Sequence, residues 1–447
     1  MTRRLFFRLI PSLLALVLVC SVPTQAAAEP RLIVRVGALP LLDSLTIVET
    51  ACSVVGCNVL YGLDGSLKQL YLVSVPDTLD LQIVTSLLST APGIVAVEAD
   101  RTVFTEGADA NTASVPPALL DKDPVPYYGT NVRGGYVHQP AFQILGLAEA
   151  HDRYGATGRG ITVAVIDTGV DPTHPVLSPV LLPGYDFTRN RDGGSERDDV
   201  DQSTMTVLDQ SQPGFVNQST MAVLDQSTMA VLDGPEFRAF GHGTIVAGVI
   251  HLAAPRAKIL PLKAFRADGS GALSDVLRAL YRASFDGAKV INMSFSFDSS
   301  SRELQRAIDY VTLRGAIAVA SAGNDSQRID VYPASYSNVM GVASTTDWDV
   351  LSDFSNYGPS VAWVAAPGEA IVSTYPFGTY AAAWGTSFSS PLAAGTAALI
   401  AETAGIITNA QAADTEGYGV WISYEISRGR VHAPTAIRAW RTRFGLF

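Results

Sequence analysis

Cysteine is scarce in this chain: 447 residues carry three, at positions 20, 52 and 57. That number excludes a multi-bridge disulfide framework, so stability must come from a large core or from bound ions. Positive charge is also short. With 31 Lys and Arg against 42 Asp and Glu, the formal net charge is −11, which argues against a nucleic-acid partner and favours solubility. No stable membrane span is expected, because the apolar run over residues 9–22 is shorter than the ~20 residues a helix needs to cross a bilayer. Charged residues make up only 16% of the chain, whereas the hydrophobic 47% is ample for a core. The length allows two or three domains, or one large α/β domain with additions.

What stands at the N-terminus has a recognisable order. Arg3, Arg4 and Arg8 precede the apolar LIPSLLALVLV, and Ala26-Ala27-Ala28 offers an A-x-A cleavage site. This is the build of a secretory signal peptide cut after Ala28, which implies a secreted or periplasmic protein. The opening TRRLFFR also resembles a twin-arginine export signal. A lipid anchor at Cys20 is disfavoured, since the preceding LVLV lacks a small residue beside the cysteine.

From Arg31 to Val103 the apolar pattern alternates as β-α-β-β-α-β, the order of a ferredoxin-like split βαβ unit. Residues 106–126, rich in Ala, Pro, Asp and Ser, read as a linker. After Gly158 short apolar runs (ITVAVID, AKILPLKAF, AKVINMSF, GAIAVASAG, VMGVAS) alternate with the amphipathic LSDVLRALYRASFDG and SRELQRAIDYVTLRG. Such alternation predicts an α/β fold, a parallel sheet with helices on both faces. Ligands of such sheets sit at the carboxyl ends of the strands.

Three chemically apt residues stand at such ends. Asp167 closes the first strand in VAVIDTGVD, His242 lies between glycines in GHGTIVAG, and Ser387 opens an apolar helix in GTSFSSPLAAGTAALI, with Pro391 expected in its first turn. A serine hydroxyl becomes a nucleophile when an imidazole takes its proton, and the imidazole needs a carboxylate to fix its tautomer. Asn324, in SAGND, and the Ser387 backbone N–H could meet the oxyanion that follows. Taken singly, each is an ordinary helix cap, turn or packing residue. Their joint placement is what carries weight. The serine stands in Gly385-Thr386-Ser387-Phe388-Ser389, which is not the G-x-S-x-G of an α/β-hydrolase.

DTGVD, GHGTIVAG, SAGND and GTSFSSPLAAG resemble the signatures of the subtilisin-like serine peptidases, in that family's Asp–His–Ser order, over residues 158–400. The resemblance implies Asp167 as orienting acid, His242 as general base, Ser387 as nucleophile and Asn324 as oxyanion donor. It assigns substrate binding to Gly269 and Gly271 of DGSGALSD, and to Ser294, Phe295 and Ser296 of VINMSFSF. It identifies residues 29–110 as a propeptide, an intramolecular inhibitor cut somewhere between 104 and 117, ahead of a peptidase domain over 111–447. It implies protein or peptide substrates, no organic cofactor and a monomer. A non-enzymatic binding protein on the same fold and a serine esterase are the competing readings.

The chain departs from the family's pattern in four places. AGVIHLAAPRAKIL passes almost directly from helix to strand, so the calcium loop usual there is expected to be absent; the acidic DGGSERDDVD reads as a solvated charge run, with binding of a cation such as calcium as the alternative. Ser296-Phe297 replaces paired glycines, and Val331 takes the floor of the main specificity pocket. A shallow pocket preferring medium apolar side chains follows. Between Asp167 and His242, residues 202–233 hold four eight-residue units: QSTMTVLD, QSQPGFVN and QSTMAVLD twice. They read as a loop insertion near the site, each unit offering a four-residue strand and a polar turn. After Ile400 the resemblance thins: GRVHAPTAIRAW looks like a closing helix, and TEGYGVWISYEISRG has no reading.

Overall fold

Six strands of the main sheet are apolar on both faces, as a parallel sheet covered by helices requires. Thr162–Asp167, Lys258–Lys263, Val290–Met293, Ile317–Ser321, Met340–Thr345 and Val364–Pro367 are buried over almost every residue. The computed structural model describes residues 29–37, 43–105, 115–200, 216–217, 222–224, 235–404, 407–417 and 421–443. The expected signal peptide and most of the repeat lie outside them.

Across the sheet the order begins with the short strands Arg191–Asp192 and Tyr185–Asp186. Lys258–Lys263 then precedes Thr162–Asp167, and the remaining four follow in chain order, all six in parallel. The chain therefore starts inside the sheet, steps outward, and crosses back to the other side of its first strand. That reversal is a topological switch point, and it falls at Asp167. Helices His242–Ala253 and Thr386–Ala404 pack together on one face, and Leu273–Phe285 and Arg302–Leu313 pack together on the other.

The unread C-terminal segment covers an edge. Ser427 and Arg428 donate to the Ala362 and Trp363 carbonyls, and Val431 donates to Ala365, so the last strand is not left open. The closing helix is Ala433–Arg443. The linker expected over 106–126 is corrected in its second half, where Pro117–Leu120 is helical and Pro124–Tyr127 pairs with Thr130–Arg133. Polar composition hid two apolar anchors there, buried Leu119 and Tyr127, the second donating its hydroxyl to the Leu252 carbonyl at 2.7 Å.

The unit before residue 105 is a four-stranded antiparallel sheet, ordered Asn58–Gly62, Leu70–Ser74, Arg31–Val36, Ile94–Ala99, with helices Ser44–Val55 and Leu81–Thr90. Its strands alternate. Leu32, Val34, Tyr71 and Val73 face its own helices, while Ile33, Leu70 and Leu72 join an apolar cluster of the larger domain. Cys52 and Cys57 form a disulfide, a local closure rather than the framework excluded above. Strand Thr102–Phe104 leaves this unit and pairs antiparallel with Ser270–Ala272, and Thr105 N–H donates to the Gly269 carbonyl at 2.8 Å.

Within the repeat, Val216–Asn217 pairs with Ala222–Leu224, which pairs antiparallel with Thr379–Ala383. Strands from two successive units thus extend the hairpin Ile371–Tyr375 and Thr379–Ala383, which ends four residues ahead of Ser387.

Candidate active site

Asp167 is fixed by the last bond of its strand and by its own loop. The following residue, Thr168, donates its N–H to Asp167 Oδ1 at 2.7 Å. His242 opens its helix after Gly241, whose φ of 89° and whose contact with the Tyr375 ring leave no space for a side chain. Gly243 matters for a different reason: a Cβ there would lie 2.0 Å from the Gly169 carbonyl oxygen. Gly243 lets the helix start reach the Asp167 loop, and Gly241 lets it pass the Tyr375 ring. The outcome is His242 Nδ1 donating to Asp167 Oδ1 at 2.7 Å, with both side chains buried. His242 Nε2 has no hydrogen-bond partner among the described residues.

The residue after Ser387 meets this pair, the Phe388 ring sitting 5.4 Å from the His242 ring. The Ser387 hydroxyl does not bond the imidazole; Oγ donates to the Ser294 carbonyl at 3.3 Å. Pro391 lies inside the helix rather than in its first turn. Having no N–H, it cannot satisfy the carbonyl four residues back, which is that of Ser387. Ser294 Oγ does so instead, at 2.8 Å, and itself accepts from Asn292 Nδ2 at 2.9 Å. Asn292 in turn accepts from Ser390 Oγ at 2.9 Å. Asn292 and Ser390 were not singled out from sequence, although both stand within three residues of Ser294 and Ser387.

Asn324 faces the same helix start. Its Oδ1 accepts from Thr386 N at 2.9 Å and from Thr386 Oγ1 at 3.0 Å, which orients the amide at the turn before Ser387. Gly269 and Gly271 line the edge taken by residues 102–105. Phe295 is buried between Phe265 and Phe297, with ring centroids at 5.0 and 5.2 Å, and Ser296 is half-buried. Phe297 and Tyr332 exchange two backbone bonds, of 2.7 and 2.9 Å, which ties the strand after Ser294 to the segment holding buried Val331.

The acidic run read as solvated is partly interior, and this is a correction. Glu196 is 1% exposed. Its Oε2 accepts from Gly241 N at 2.9 Å and Thr168 Oγ1 at 3.1 Å, and its Oε1 from Thr244 N at 3.2 Å and from the Thr244 hydroxyl. Burial pushes the Glu196 carboxyl up to about 8, against the pull of these donors and of Lys263. Asp199 bonds buried Lys263 Nζ at 2.8 Å. No local sequence signal distinguishes these acids from solvated ones, because the donors come from distant segments.

The other described histidines serve packing or the surface. Burial lowers His251 to about 3 and also lowers His151 and His174, so these rings are neutral and bond a tyrosine hydroxyl or backbone carbonyls.

Against known proteins, the model of the subtilase family matches residues 158–417, more than half of the chain. A thermophilic serine proteinase of Bacillus sp. (strain AK1) is 37% identical over 252 residues, 54% of this chain and 52% of that protein. Thermitase of Thermoactinomyces vulgaris is 33% identical over 299 residues, covering 63% of this chain and 90% of thermitase. The match thus spans about half the length of the first relative and most of the second. Fervidolysin of Fervidobacterium pennivorans, a keratinolytic enzyme related to subtilisin, superposes with a TM-score of 0.66 at 21% identity, over 92% of this chain and 61% of fervidolysin. With the family model covering the whole stretch from the Asp167 strand past the Ser387 helix, the chain belongs to the subtilase family of subtilisin-like serine peptidases.

Proposed function

We propose that this protein is an exported serine endopeptidase, made as a zymogen that removes its own N-terminal unit. The observation that carries the reading is the buried 2.7 Å bond between His242 Nδ1 and Asp167, which leaves Nε2 as the nitrogen available to Ser387. In this reading the Ser387 hydroxyl turns from the Ser294 carbonyl to His242 once substrate is seated. Active-site hydrogen bonds that are long or misdirected without substrate often tighten on binding. Oγ attacks the scissile carbonyl and its proton passes to Nε2, with Asp167 stabilising the imidazolium. The oxyanion is met by the Asn324 amide and the Ser387 N–H. In subtilisin itself, loss of the side-chain donor lowers kcat by about 10²–10³. The imidazolium then protonates the leaving amine, and water releases the acyl group by the same steps in reverse.

The pairing of Thr102–Phe104 on Ser270–Ala272 supports the zymogen reading, because it lays an extended peptide along the glycine edge the resemblance assigns to substrate. Val331, buried behind Tyr332, supports a preference for medium apolar side chains over Lys or Arg. The test is secreted expression of the wild-type chain beside Ser387→Ala, with intact mass and N-terminal sequencing. Loss of about the first hundred residues in wild type alone supports the reading and fixes the cut site. An uncut wild type that also fails to hydrolyse peptides would overturn it in favour of a binding protein.

A further inference from the structure

We infer that Glu196 is a positioning residue for the reaction: its carboxyl group clamps the Asp167 loop to the first turn of the His242 helix, and the alignment of the pair depends on that clamp. This rests on the peptidase reading above. The four acceptor bonds of Glu196 divide between two elements. One goes to Thr168, whose N–H holds Asp167 Oδ1, and three go to Gly241 and Thr244, which flank His242. The same contact is reinforced twice: Gly243 N donates to Thr168 Oγ1 at 3.0 Å, and Asp171 N donates to Thr244 Oγ1 at 2.8 Å. The N–H groups of Gly241, Gly243 and Thr244 belong to the start of the helix, where no intrahelical acceptor exists. Glu196 and Thr168 supply those acceptors. A carboxyl group at this end also meets the positive pole of the helix.

The arrangement is specific to a buried acid. Both Glu196 oxygens are saturated with donors, so its shape fits the ionised form, while its burial opposes that charge. The titratable groups around it are Asp167 on the first strand, Lys263 on the neighbouring strand, and His242 on the helix. Asp171 follows the first strand, paired with Arg197 at 3.7 Å, and Asp199 on Glu196's own turn is held by Lys263. A residue kept in so costly a place, touching neither substrate path nor solvent, has its effect through the two segments it joins.

The experiment compares wild type with Glu196→Gln, Glu196→Leu, Thr168→Val and Thr168→Ser in the full chain. A fluorophosphonate probe that labels reactive serine counts competent sites, and kcat and KM are read on a small peptide amide. A displacement of 1 Å at a catalytic pair lowers rate by about 10²-fold. Glu196→Leu and Thr168→Val are therefore expected to lose about 10²-fold in kcat per labelled site, with KM within twofold. Glu196→Gln, which keeps one acceptor oxygen, is expected to lose about tenfold, and Thr168→Ser to restore most of what Thr168→Val loses. A lowered melting temperature with unchanged kcat per labelled site would mean a structural role only, and would overturn the inference. Should the Glu196 variants not fold, the Thr168 pair decides on the same readout. A wild type that neither labels at Ser387 nor hydrolyses peptide would remove the peptidase reading itself, and this inference with it.

Discussion

The two folded regions bury their sheets in opposite ways. The main sheet has helices of its own domain on both faces. The sheet of the N-terminal unit has helices on one face only, and its other face is covered by the peptidase domain through Ile33, Leu70 and Leu72. One region is complete by itself, and the other is a half-built layer that is finished by its neighbour. Polar contacts follow the same division. Arg35 bonds Glu303 at 2.7 Å, and Asp100 accepts from Ser274 N and Oγ at 2.8 and 2.9 Å, so side chains of the small unit meet the starts of both helices on that face. The lesson is that the small unit's stability is in large part a docking energy.

The comparison is best broken at the shared face. In the uncut Ser387→Ala chain, Leu72→Asp places an unpaired charge between the two regions, a change that costs roughly 3–5 kcal/mol. Hydrogen exchange should show Arg31–Val36 and Leu70–Ser74 losing protection, while the strand Thr162–Asp167 keeps it. Equal loss in both regions would mean that they unfold as one.

A smaller effect tests the polar rim. Asp100→Ala, in the same background, removes both bonds to Ser274, of 2.8 and 2.9 Å, together with the ion pair to Arg31. The expected loss is about 1 kcal/mol, seen as faster exchange in Thr102–Phe104. Unchanged exchange would confine docking to the apolar face.

A pH dependence reads the same contact without a substitution in the small unit. Burial raises Asp275 to about 7, with Asp100 adding like charge and Arg278 opposing. Because the folded value lies above the ordinary one near 4, the folded state binds the proton more tightly than the unfolded state. The penalty for the buried charge is absent below about pH 4, grows up to about 7 and is complete above it. Protection of Thr102–Phe104 should therefore be higher at pH 5 than at pH 8, and Asp275→Asn should flatten the difference.

The sequence made some of this legible and hid the rest for physical reasons. The parallel strands were readable because strands buried on both faces are continuous apolar runs, as in TVAVID and VINM. Asp167, His242, Asn324 and Ser387 were readable because each stands at a strand end or helix start among glycines or small residues. Glu196 was not readable, since a buried acid and a solvated one look alike until Thr168, Gly241 and Thr244 converge on it. Pro391 is a related case. Its presence was visible, but its use, leaving the Ser387 carbonyl to Ser294, depends on a residue 93 positions from that serine. The linker reading of residues 117–126 failed for the converse reason, as the apolar anchors Leu119 and Tyr127 outweighed the polar composition.

The placement of the disulfide has one more consequence. Cys52 and Cys57 pair within the small unit, and no cysteine follows them. Reductants can therefore act on the small unit while leaving the larger domain chemically untouched. The oxidation state of that one pair therefore reports on the small unit alone.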